Sequence, residues 1–134
     1  MKLATIENDF WELRSAEESH KANPEKFYLP PEELRKNLKV GDAAKLIFDI
    51  EFVEDGKKIV QGERIFVIVS EIIGDFYIGI LDSQPINIDP ADDPYLCFGA
   101  EILFKAEHVI DIQRPPEDYI AWQLNQEPER KWVR

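Results

Sequence analysis

The chain has 134 residues, 44% hydrophobic and 11% aromatic, which suits a single domain with its own core and excludes a disordered chain. Its 27 acidic and 16 basic residues give a formal net charge of −11, repelling nucleic-acid phosphates and anionic lipid surfaces while attracting basic partners. Cys97 is the only cysteine, so no intrachain disulfide can form; with no signal-like segment before Glu7 and no uncharged run of ~20 residues, a cytoplasmic location is expected.

In IENDFWELRSAEESHKA, Ile6, Phe10 and Leu13 recur at spacings of four and three, which predicts one amphipathic helix. Asn23-Pro24 ends it, because proline disfavours helical geometry in the residue before it. FYLPPEELRKNL places Pro31 near a first helical turn, followed by Glu32 and Glu33 where the helix dipole favours negative charge. This second helix is expected to be short and to stop before Gly41.

The clearest period-two signal follows. In AAKLIFDIEF, Ala44, Leu46, Phe48, Ile50 and Phe52 alternate with Lys45, Asp49 and Glu51, with Ile47 the exception, as in a half-buried strand. Asp55-Gly56 predicts a hairpin turn, and RIFVIVSEII, apolar on both faces, a central strand. Gly74-Asp75 turns the chain into FYIGIL, where Gly79 predicts a bulge or a close backbone approach. LDSQPINIDPADDPYLCFG is a proline-braced connection, after which AEILFKAEHVIDI gives one strand or two short ones with a bend. Pro115-Pro116 stops the sheet, PEDYIAWQL reads as a closing helix, and QEPERKWVR as a polar, frayed end anchored by Trp132.

The fold class expected is α+β: a curled antiparallel sheet or small open β-barrel of about five strands, with N-terminal helices and a short C-terminal helix. The single domain spans 1–134, with a helical front (1–40), a β-rich core (41–113) and a helical tail (114–134). Its core is expected to hold Leu46, Phe48, Ile50, Phe52, Val67, Val69, Phe76, Ile78, Ile80, Leu103 and Phe104.

Little in the chain points to catalysis. His20 and His108 lie far apart, no glycine-flanked serine elbow exists, and Cys97 sits between Leu96 and Phe98, where burial makes a thiol inert. Asp89, Asp92 and Asp93 have the wrong spacing for a calcium loop, and Pro90 and Pro94 stiffen the segment between them. Neither an enzyme, a metal nor a cofactor is expected. The charge distribution is more informative: residues 65–104 hold no lysine or arginine, while Glu71, Asp75, Asp82, Asp89, Asp92, Asp93 and Glu101 lie within them. Such a block either solvates strand faces and turns or forms a recognition surface for a basic protein. In the second case Glu71, Asp75, Asp82, Asp89, Asp92 and Asp93 supply the charge, and Tyr77 and Tyr95 are anchors.

From GERIFVIVSEIIGDFYIGILDSQPINI to GAEILFKAEHVIDI the chain resembles a bacterial family of unknown function. The matching pattern runs through Gly62, Glu63, Arg64, Val67, Gly79, Leu81, Pro85, Gly99, Phe104, His108 and Asp111, with Phe66 at a position where relatives carry tryptophan. Ser83-Gln84 and Ala100 also depart from the pattern, and NIDPADDPYLCF is longer than the corresponding loop. Some relatives are classed as immunity proteins, which neutralise toxins of bacterial competition systems. The resemblance therefore implies a β-rich binding protein, of the kind that inhibits a basic toxin. The alternative is a non-enzymatic housekeeping module holding a small ligand or peptide on the concave face of the sheet, with Arg64 and His108 as polar contacts.

Overall fold

The computed structural model describes residues 1–134, and in it the alternating stretch becomes the strand around which the others assemble. The strands are β1 (Trp11–Leu13), β2 (Ala43–Glu54), β3 (Lys57–Ile73), β4 (Phe76–Leu81), β5 (Glu101–Lys105) and β6 (Asp111–Gln113). The helices are α1 (Ile6–Asp9), α2 (Ala16–Ala22), α3 (Glu32–Arg35) and α4 (Glu117–Leu124). Pairing is antiparallel throughout, in the order β1-β2-β3-β4-β5. The short β6 joins β2 beside β1, at Ala43↔Gln113 and Lys45↔Asp111. The fold is α+β, with a curled, open sheet forming a half-barrel.

Local chemistry explains the turns. Asp55 and Gly56 both take positive φ (52° and 74°), the geometry a two-residue hairpin requires. At Gly79 the close approach is what is found, since a Cβ there would lie 2.5 Å from Val67 Cγ2, while the bulge falls on the facing strand, between Val69 and Glu71 of β3. α2 starts at Ser15, whose hydroxyl accepts from the Glu18 N–H.

Inside the curl, Ala44, Leu46, Phe48 and Ile50 of β2 meet Val67 and Val69 of β3 and Ile102 and Phe104 of β5, with Leu38 and Leu96 filling the remaining space. The concave face is therefore core. On the outer side Ile47 packs with Ala16 and Ile110, flanked by Phe27 and Leu29. Of the expected core, Phe52 and Phe76 are only half-buried, Phe76 lying under the Lys105 ammonium.

Two expectations are corrected. The Ile6–Phe10–Leu13 stripe is not one helix: α1 ends at Asp9, Phe10 turns left-handed, and Trp11–Leu13 pair with Phe48–Ile50. Trp11 and Leu13, two apart, both reach the core, so period two wins where three-and-four spacing looked helical. The C-terminal end is not frayed either. Glu129 N–H donates to Gly99 O and Glu101 N–H to Arg130 O, so the tail runs parallel along the outer edge of β5. Trp132 then packs against Trp11 and Tyr95, and its indole N–H donates to Lys2 O.

Candidate functional site

Three of the seven acids of the block are paired from within the molecule, by two arginines of the tail. Arg134 bonds Glu101 (2.6 Å) and Glu71 (2.6 Å), and Arg130 bonds Asp93 (2.5 Å). Glu101 is buried; burial pushes its carboxyl up, but Arg134 and the Trp132 N–H outweigh that and hold it below the usual carboxylate range. Asp82 accepts from Tyr119 Oη (2.6 Å) and Gln123 Nε2 (2.8 Å), which docks α4 on the sheet. Burial and that bond push the Tyr119 hydroxyl up to about 12. Asp75 sits on the β3–β4 turn at a polar cleft of about 480 Å³ that also holds Lys36 and Lys105.

Tyr77 is removed from any partner surface. It is 5% exposed, stacks on Phe104, donates from Oη to Arg35 O and accepts from the Leu38 N–H. Tyr95 is half-buried and donates to Glu101 O (2.7 Å). Burial, reinforced by the Glu101 charge, raises its hydroxyl pKa.

The residues of the family pattern do not converge. Glu63 accepts from Ile86 N–H, Asn87 N–H and Asn87 Nδ2, pinning the start of the long connection. Gly62, Arg64 and Phe66 share a cavity of about 530 Å³ with Glu63. Arg64 lies over the Phe27 ring, and the Lys45 ammonium over Phe66. Pro85 is buried. At Gly99 (φ 92°) a Cβ would meet Glu129 Cγ at 2.9 Å, so this glycine lets the tail approach. Asp111 accepts from the Ile112 N–H and from Gln113 Nε2. His108 is buried, accepts at Nδ1 from the Lys105 N–H and faces Glu107 at 3.3 Å; burial, then the Lys105 charge, lowers its pKa to about 4. Arg64 and His108 line no common cavity among the larger ones, and the concave face they were expected to serve is filled.

What stays open lies where four segments meet. Asp9–Trp11, Glu51–Val53, the connection from Asn87 to Leu96, and Trp132 enclose a cavity of about 870 Å³. Its apolar wall includes Trp11, Phe52, Ile88, Tyr95 and Trp132, and its rim carries Asp9, Glu51, Asp89 and Asp92. No lysine or arginine is among the lining residues. The Glu51 and Asp92 carboxylates make no hydrogen bond or ion pair, that of Asp9 accepts from the Thr5 N–H, and that of Asp89 from the Ala91 N–H. Asp89 and Asp92 are the two acids of the connection that the tail leaves uncovered. The Trp11 indole N–H, inside this wall, has no acceptor. Phe10 and Val53 stand at the opening, 64% and 68% exposed.

Sequence reasoning assigned Asp89, Asp92 and Tyr95 to a partner surface, but put Phe10 on a helix stripe, Glu51 on a strand face and Trp132 at the anchored tail, and gave Asp9 no role. For Asp9, Phe10 and Glu51 the one local signal is an acid beside an aromatic, in DFW and EFVED; Trp132, in RKWVR, has no such signal. No group of three or more histidine, cysteine, aspartate or glutamate side chains is arranged to hold a metal ion, and no helix is long and apolar enough to cross a membrane. No family model matches the chain, and no curated protein or solved structure matches it.

Proposed function

We propose that this chain is a small acidic protein-binding domain, acting in the cytoplasm, that captures a cationic segment of a protein partner at the cavity mouth. Immunity-type inhibition of a basic toxin is the specific form that the sequence resemblance favours. The observation that carries the reading is the rim: four carboxylates and no lysine or arginine line an apolar opening with two exposed hydrophobic side chains, the cations Lys2, Lys131 and Arg134 lying in the adjoining cavity beyond Asp9, Tyr95 and Trp132. Such a surface attracts a basic segment from a distance and rewards it with apolar contact on arrival. The acids that the tail neutralises contribute far less to that field, so the partner surface is narrower than the acidic block.

A display selection on the purified chain with a charge-balanced peptide library tests this. Enriched peptides should carry lysine or arginine beside an apolar residue, and should lose binding at high salt and in a Glu51→Lys/Asp92→Lys double variant. Enrichment of neutral or acidic peptides, or binding that the double variant leaves unchanged, would sink the reading.

A further inference from the structure

Phe10 is the least economical residue of the fold. Its backbone is left-handed (φ 68°), a region that a bulky aromatic residue seldom occupies and where glycine is unstrained. The conformation is imposed by its surroundings: Phe10 N–H closes α1 on Ile6 O, and Phe10 O accepts from the Glu51 N–H at 2.9 Å, delivering Trp11 into the core. Every one of those constraints acts on the backbone. The residue is 64% exposed, so core burial does not explain a phenylalanine at a position that glycine would fill without strain. It lines the acid-rimmed cavity between Asp9 and Trp11, with Glu51 bonded to it.

We infer that Phe10 is the specificity-determining contact of the mouth, an aromatic platform on which a lysine or arginine side chain of the protein partner lies, flanked by the carboxylates of Asp9 and Glu51. A ring face attracts a cation through its quadrupole, and neighbouring carboxylates complement the same charge. The inference rests on the proposed capture of a basic segment at this mouth, and adds which side chain reads it.

The test uses the full chain and a fluorescein-labelled, acetylated hexa-arginine peptide as probe, titrated at low salt against Phe10→Gly, Phe10→Leu, Phe10→Trp and Glu51→Lys. Phe10→Gly and Phe10→Leu should weaken probe binding about three-fold, Phe10→Trp should hold or tighten it, and Phe10→Gly should raise the urea midpoint or leave it unchanged. A merely structural ring predicts the opposite sign for stability. If Phe10→Gly lowers the midpoint, or binds the probe like the parent while Glu51→Lys weakens it, the platform is wrong and the mouth stands. If neither Phe10 nor Glu51 variants change binding, both fail.

Discussion

Two faces of this molecule are rich in carboxylates, and they behave differently. Where the tail lies against the molecule, Glu71 of β3, Asp93 of the long connection and Glu101 of β5 are paired with Arg130 and Arg134. Around the mouth, Asp9, Glu51, Asp89 and Asp92 face one another over apolar side chains with no cation lining the cavity. Both contribute to the same net charge of −11. Formal charge therefore says little about a surface until the positions of the opposite charges are known: one face holds the fold together, and the other is free to meet a partner.

Substitutions can break that contrast, beginning with one that must affect both faces. Phe48 is fully buried beneath Trp11, so Phe48→Ala should lower unfolding stability by about 4 kcal/mol in urea titration, with loss of peptide binding as the mouth loosens. Next comes acid. His108 binds its proton more weakly folded (about 4) than unfolded (6.5), so its stabilising contribution is complete above pH 6.5 and is lost as pH falls toward 4. The loss should reach about 3 kcal/mol in the wild type, be absent from His108→Gln, and so account for the pH dependence of the difference between the two. Below pH 4.5 the β5 edge follows: Glu101 titrates lower in the fold than in the free chain, so its contribution is present above 4.5 and lost on further acidification.

Arg134→Ala sharpens the contrast directly. It leaves the buried Glu101 carboxylate with the Trp132 N–H alone and should destabilise by about 2 kcal/mol, less than for a fully buried pair because the Arg134 side chain is 41% exposed. Glu51→Lys at the mouth should change stability by less than about 0.5 kcal/mol while weakening cationic-peptide binding about ten-fold in a low-salt titration. If Arg134→Ala proved neutral and Glu51→Lys strongly destabilising, the roles assigned to the two faces would be reversed.

The sheet was legible because its signals are local. Alternation at Leu46, Phe48 and Ile50, the Asp55-Gly56 turn and the crowded Gly79 each depend on a few neighbouring residues. The mouth was not legible, since it joins Phe10, Glu51, Asp92 and Trp132 from four distant segments. Tyr77 illustrates the same gap: residues of α3 and its C-terminal flank bury a ring that looked available beside acidic neighbours. The tail was misread for a related reason. Its two arginines, Arg130 and Arg134, pair with acids 33 to 63 positions away, a separation at which composition carries no geometry.

The tail also bears on the order of folding events. Its Trp132 indole bonds Lys2 across 130 residues, so this closure carries the largest loop-entropy penalty in the chain and belongs late. Until it forms, the outer edge of β5 offers unpaired backbone groups around Ala100 and Glu101, a template for pairing with another unfinished chain. The last residues thus act as an edge guard, and conditions that detach them, such as acid or an Arg134 substitution, should raise aggregation before the sheet itself unfolds.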